Sequence, residues 1–208
     1  MKVSKFGLAA VAASALLLGA CSSSTSEAPA ETAAAAAETA AAAEAAPAAG
    51  DNAAMKICVY THGDGGSFWS VAKKGAVKAG EDLGVTVDYQ EANNDPAKQA
   101  QIIEAGVAAG CKAMAVSAPN PDALKDALGK VEAAGIPVVT MNSGSKSFKD
   151  LGAFTHVGQD EFVAGQGAGL KFKELGATKI VCPIQEANNI GLQERCDGAK
   201  DTFGNVTN

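Results

Sequence analysis

From Lys56 onward the chain alternates short apolar runs with longer amphipathic ones, and few folds accept that pattern. Apolar runs of four or five residues between glycine or polar loops read as strands buried on both faces. They are expected at Ile57–Tyr60, Val85–Tyr89, Ala113–Ser117, Pro137–Met141, near Ala153–Val157, and at Lys179–Ile184. Helical spacing of apolar residues predicts helices at about Phe68–Leu83, Pro96–Ala109, Pro121–Ala134, Glu161–Glu174 and Ile190–Phe203. Strand and helix in alternation specify an α/β fold, a parallel sheet with crossover helices. Punctuation agrees. Asp95-Pro96 and Asn120-Pro121 each supply a helix N-cap followed by proline in the first turn. Gly84, Gly110 and Gly135 fall where helices stop.

The first 54 residues follow other rules. Lys2 and Lys5 precede an apolar run, Phe6 to Leu18, that is too short to span a bilayer. The run ends Leu18-Gly19-Ala20-Cys21. A charged start, a short apolar core and small residues before a cleavage point make residues 1–21 a signal peptide. Its Leu-Gly-Ala-Cys ending resembles a bacterial lipobox, which implies lipidation of Cys21. Residues 22–54 are almost entirely Ala, Ser, Thr, Glu and Pro, which cannot bury a core and read as a disordered tether.

Charge and cysteine usage narrow the partners. The chain carries 17 basic and 23 acidic side chains, a net −6. Cleavage before Cys21 removes Lys2 and Lys5 and no acid, leaving −8. No basic patch stands out, so nucleic acid is a poor partner. Besides Cys21 there are Cys58, Cys111, Cys182 and Cys196, and an exported protein can oxidise such thiols. Cys182 in a strand and Cys196 in the next helix are a possible disulfide. Cys58 with Cys111 is the remaining pair, with buried free thiols as the alternative. The spacing does not resemble a metal site.

The strand and helix count divides the folded part. Residues 55–158 supply a first α/β lobe, and residues 159–208 the start of a second. A doubly wound lobe needs on the order of 100 residues. The second lobe is therefore expected to be incomplete, in a C-terminally truncated sequence.

The glycine-rich loop after the first strand, His62-Gly63-Asp64-Gly65-Gly66, invites a dinucleotide site, with Glu91 at the end of the second strand as a ribose-binding acid. Three features oppose it. Phe68 stands where the third glycine belongs, Asp64 would repel a pyrophosphate, and the chain is exported. Gly165, Gly167 and Gly169 fall inside a predicted helix and read as a close-packing face. Catalysis has little support. Ser67 and Ser70 lack a nucleophile elbow. His62 and His156 both fall at strand ends, where they can line one cleft. Asp64, Asp160 and Glu186 offer carboxylates at no defined separation. No catalytic residue and no cofactor are expected.

Carbohydrate binding fits the residues better. A sugar ring needs an aromatic face for its C–H side and planar polar groups for its hydroxyls, because buried hydroxyls need partners. The strand ends provide Asp64, Phe68, Trp69, Ser117, Asn142, Gln159, Asp160, Glu186, Asn188, Asn189 and Arg195. One of Phe68 and Trp69 is expected to pack under its helix.

Six segments extend this into a resemblance that covers nearly all of the folded part. They are G-x-x-F-W ending at Trp69, NNDPAKQ from Asn93, AVSAPNPDAL from Ala115, AGIPVVTMNS from Ala134, THVGQD from Thr155 and NNIGLQERCDG from Asn188. In this order they resemble the type I periplasmic sugar-binding proteins, the ribose-binding kind, that serve ABC importers. The resemblance implies two α/β lobes, each built on a doubly wound parallel sheet, closing about a hinge onto a ligand. It implies that Phe68 and Trp69 stack on the sugar, that Ser117 and Arg195 bind it, and that Gln159-Asp160 makes the first crossing between lobes. Asn142 stands where the family usually has Asp, which keeps hydrogen bonding and removes a charge. The Asp64-Gly65-Gly66 loop also departs from the ribose-binding form. The implied ligand is a simple sugar or polyol, bound by a monomer that is lipid-anchored to the outer face of the cell membrane or periplasmic. The implied partners are an ABC permease and its ATPase. A ligand-sensing subunit for a membrane signalling receptor is the alternative. A repressor core shares this fold, but a signal peptide excludes that role.

Overall fold

The structure is a computed structural model that describes Asn52 and residues 54–208. The expected signal peptide, Cys21 and nearly all of the tether lie outside the described residues.

Five strands form one parallel sheet: β1 (Lys56–Thr61), β2 (Thr86–Glu91), β3 (Ala113–Ser117), β4 (Val138–Asn142) and β5 (Thr155–Gly158). The spatial order is β2-β1-β3-β4-β5, with Cys58 beside both Asp88 and Met114, and Val116 beside Thr140. Three helices, α1 (Ser67–Leu83), α2 (Pro96–Ala108) and α3 (Pro121–Ala133), link the first four strands. Right-handed crossovers put α1 on one face and α2 with α3 on the other. The chain reverses direction across the sheet between β1 and β3, and ligands of such sheets bind outside the strand carboxyl ends at that point.

The main core lies under α2 and α3. Tyr60, Ile103, Met114, Val116, Leu124, Leu128 and Val131 are fully or almost fully buried there. Cys58 and Cys111 are bonded within it, with Cα atoms 5.8 Å apart. Helix starts follow the sequence. Asp95 accepts from the N–H groups of Ala97 and Lys98, and Asn120 from that of Ala123. Gly84, Gly110 and Gly135 take left-handed φ of 67°, 80° and 70° at the helix ends, where a side chain would be strained.

Beyond β5 come α4 (Glu161–Glu174), β6 (Ile180–Val181), α5 (Ile190–Phe203) and β7 (Val206–Thr207), with β6 and β7 paired in parallel. The sixth strand is shorter than the expected Lys179–Ile184. Its partner offers two residues, and Pro183 has no N–H to extend the ladder. Cys182 is bonded to Cys196 on α5. Helices α4 and α5 cross at backbone distance. A Cβ on Gly165 would strike the Arg195 carbonyl, one on Gly169 the Thr202 hydroxyl, and one on Gly198 the Phe162 carbonyl. Gly167 faces open space, so the expected close-packing face uses only two of its three glycines.

Candidate ligand-binding cleft

The carboxyl ends of β1 and β4, the start of α1, and the first turns of α4 and α5 enclose a cavity of about 370 Å³. That is within the size range of small-molecule sites, roughly 300–1,000 Å³. Asp64, Phe68, Trp69, Asn142, Glu186, Asn189 and Arg195 line it, as do His62, Ser143, Glu161, Gln185 and Leu192.

The aromatic pair is divided in its task. Trp69 is buried, because Gly63 lets the loop lie directly on its ring; a Cβ there would come within 2.7 Å of the indole. Phe68 is 61% exposed and stands edge-on to Trp69, with ring centroids 5.1 Å apart. The free aromatic face is therefore that of Phe68. Asp64 is exposed, and its Oδ1 accepts from the Gly66 N–H at 2.9 Å, which closes the tight turn into α1. Asn142 ends β4 with a left-handed φ of 61°, and its Oδ1 accepts from the Ser143 hydroxyl.

The opposite wall is a connected polar set. Asn189 caps α5 by accepting from the Gly191 N–H, and its Nδ2 donates to Glu186 Oε2 at 2.7 Å. Glu186 Oε2 lies 3.5 Å from His62 Nε2. Arg195 Nε donates to Glu161 Oε2 at 2.7 Å, and its Nη2 meets the same oxygen. Five N–H donors on a guanidinium leave others for a ligand. The two sides touch elsewhere too. The Ile190 N–H donates to the Pro119 carbonyl at 3.0 Å, and Lys146 Nζ lies 3.7 Å from Glu194.

Four expected ligand residues, Ser117, Gln159, Asp160 and Asn188, are absent from the lining, and Asn188 borders a neighbouring pocket with Asn94 and Gln99 instead. Ser117 is fully buried, and its hydroxyl is engaged with His62. It ends β3 pointing into the layer beneath the loop, one step back from the cavity. Gln159 is exposed outside the cavity, and its amide donates to both oxygens of Glu161 at 3.2 Å. Asp160 beside it accepts from the Val163 N–H and caps α4. Glu161 is the residue that α4 turns into the cleft, and only the buried position opposite Arg195 reveals it. His156 does not share a cleft with His62; its Nδ1 hydrogen-bonds the Thr140 hydroxyl at 2.8 Å in the sheet. No cluster of three or more His, Cys, Asp or Glu suited to a metal occurs among the described residues.

Electrostatically, three carboxylates (Asp64, Glu161, Glu186) face one guanidinium in the lining. Burial lowers the His62 pKa below its ordinary value, against the raising pull of Glu186 and Asp64. Behind Arg195, burial raises the Glu194 carboxyl, opposed by Lys146 and reinforced by Asp160 and Glu161.

Residues 57–207 match the periplasmic binding protein domain family. The chain belongs to that family. Among periplasmic binding proteins of known structure, it is similar to a carbohydrate transporter from Acidothermus cellulolyticus solved with myo-inositol. Identity is 38%, the TM-score is 0.71, and the match covers 74% of this chain and 54% of that one. It is also similar to a periplasmic sugar-binding protein of an ABC sugar transporter from Legionella pneumophila, at 27% identity and a TM-score of 0.68, over 74% of this chain and 59% of the other. The ribose import binding protein of Haemophilus influenzae is 26% identical over 138 residues, 65% of this chain and 46% of that protein. The chain spans about half the length of these relatives. The family consists of solute-binding proteins, and the cleft of this chain lies at the carboxyl ends of its strands.

Proposed function

We propose that the protein is an extracytoplasmic solute-binding protein that captures a simple sugar or polyol for an ABC importer. One observation carries this: the cleft pairs the exposed face of Phe68 with a ring of planar polar groups, Asn142, Glu186, Asn189 and Arg195. Apolar C–H faces and hydroxyls alternate on a sugar or cyclic polyol, and this lining complements both. Three carboxylates against one guanidinium disfavour an anion such as a sugar phosphate. A myo-inositol complex in a 38% identical relative supports a cyclic polyol as readily as an aldose.

In this reading residues 1–21 direct export, Cys21 carries the lipid anchor, and residues 22–54 tether the binding lobes. Residues 55–158 form the first lobe and 159–208 belong to the second, with the permease and its ATPase as partners. Bonded Cys58–Cys111 and Cys182–Cys196 support an oxidising compartment. No helix among the described residues is long and apolar enough to cross a membrane.

Titration calorimetry of the full-length protein against D-ribose, D-arabinose, D-allose, myo-inositol and a sugar phosphate tests the proposal. One neutral compound should bind and the phosphate should not; silence across the neutral panel would sink it. Phe68→Ala should weaken that binding about tenfold, roughly 1.4 kcal/mol, with the melting temperature nearly unchanged because the ring is exposed. Trp69→Ala should instead lower the melting temperature, since its ring supports the loop.

A further inference from the structure

His62 is 4% exposed, yet it lines the cleft. Its other contacts define which nitrogen carries the proton. The Ser117 hydroxyl oxygen lies 2.9 Å from the His62 backbone N–H and 2.7 Å from Nδ1. Gln99, also buried, donates its Nε2 to the Ser117 carbonyl at 2.7 Å and lies 3.4 Å from the hydroxyl oxygen. A backbone N–H and an amide NH₂ can only donate, so both take lone pairs of that oxygen. The hydroxyl has one proton to give. Among the described residues, Nδ1 is the only acceptor within its reach. Nδ1 is thus an acceptor, and the neutral ring carries its proton on Nε2. Trp69 packs edge-on against the imidazole at 4.8 Å and limits its rotation.

His62 Nε2 lies 3.5 Å from Glu186 Oε2, longer than the 2.7–3.2 Å of a good N–H···O bond. Glu186 receives its close hydrogen bond from Asn189 instead. A donor and a carboxylate therefore face each other, incompletely paired, at the edge of the cavity. One chemical group satisfies both at once. A hydroxyl accepts through its oxygen and donates through its proton. An ether or carbonyl oxygen only accepts, and an ammonium only donates.

We propose that His62 is a specificity-determining residue: held as the Nε2–H tautomer by Ser117 and Gln99, it accepts a ligand hydroxyl as a bridge to Glu186. This rests on the sugar or polyol reading above and adds which ligand group the two sides share. The site then demands a free hydroxyl at one ring position and rejects the deoxy and O-methyl forms, which leave the carboxylate or the imidazole unpaired. Ser117 and Gln99 act as positioning residues.

Two measurements on the full-length protein test it. Long-range ¹H–¹⁵N NMR of the ligand-free protein at pH 7 should find His62 protonated on Nε2 alone, and Ser117→Ala should allow the other tautomer. A proton on Nδ1 in the wild type, or no response to Ser117→Ala, overturns the relay. Calorimetry then uses whichever of D-ribose, D-arabinose, D-allose or myo-inositol binds best, with its mono-deoxy and mono-O-methyl analogues. One ring position should lose about tenfold or more in affinity in both analogues. In His62→Leu the loss on removing that hydroxyl should shrink, because only Glu186 then pairs with it, and in His62→Gln, which keeps an N–H donor, it should largely return. Thermal unfolding verifies that each variant is folded. Tight binding with no discrimination lost in His62→Leu overturns the bridge while leaving the sugar reading intact. No binding of any neutral probe by the wild type overturns the sugar reading and the bridge together, while the NMR result still decides the tautomer.

Discussion

The sheet of residues 56–158 and the helix pair of residues 161–203 close their interiors by different means. In the sheet, large side chains fill the volume: Tyr60, Ile103, Met114, Leu124 and Leu128 are all essentially inaccessible. In the helix pair, the contact is made by missing side chains. Gly165, Gly169 and Gly198 bring α4 and α5 to backbone distance, and the buried apolar side chains nearby are few, chiefly Ile180, Ala199 and Val206. Each solution has its own weakness. A core of large side chains is damaged by removing atoms, whereas a glycine crossing is damaged by adding one. Each region also has a disulfide, but the loops differ, with sequence separations of 53 residues for Cys58–Cys111 and 14 for Cys182–Cys196.

The disulfides give the largest expected effects in each region. If loop entropy dominates, replacing Cys58 and Cys111 by serine should cost about 4 kcal/mol, and replacing Cys182 and Cys196 about 3 kcal/mol. Urea unfolding of the two double variants measures this; equal losses would show that loop length is not what matters here. Next come the two interiors. Leu128→Ala should destabilise by about 3 kcal/mol through the cavity it leaves. Gly165→Ala should cost about 2 kcal/mol by forcing α4 off the Arg195 carbonyl. Gly167→Ala in the same helix should instead be stabilising by a few tenths to about 1 kcal/mol, because nothing lies near its Cβ. A loss at Gly167 matching that at Gly165 would break the crossing account.

Caps should matter less. Asp95→Ala removes two hydrogen bonds at the start of α2 and should cost about 1 kcal/mol, read from the shift in denaturation midpoint. The smallest expected effect is a pH slope. Burial lowers the pKa values of both His62 and His156 in the fold. The unfolded histidines take up protons near pH 6.5, where the folded ones do not. Stability contributed by these groups is therefore full above about pH 6.5 and falls as the pH drops below it. His62→Gln should flatten that fall between pH 7 and 5; an unchanged slope would assign it to other groups.

The secondary structure was largely legible because its signals are local. Ala113–Ser117, Glu161–Glu174 and Ile190–Phe203 are bounded by their own apolar spacing and caps, and the structure has them at those residues. The Asp95 and Asn120 caps needed only their own turn and the proline that follows. The cleft was legible in part. Residues at strand ends and helix starts, such as Asp64, Phe68, Asn142 and Arg195, line it because topology alone delivers those ends to one side of the sheet. Ser117 and Gln159 sit at equally suitable ends and do not line it.

Sequence by itself therefore determined the α/β class, the order of elements, the helix boundaries and the side of the sheet where the cleft opens. All of these follow from periodicity and from residues within a turn of one another. Only the tertiary structure decided which of two neighbouring aromatics is free, that Glu161 rather than Gln159 faces the cavity, and that Ser117 and Gln99 orient His62. Those outcomes depend on hydrogen bonds and packing between elements far apart in the chain. A strand-end side chain turns toward the ligand or toward the layer beneath according to which partner satisfies it, and that partner is present only after the fold has formed.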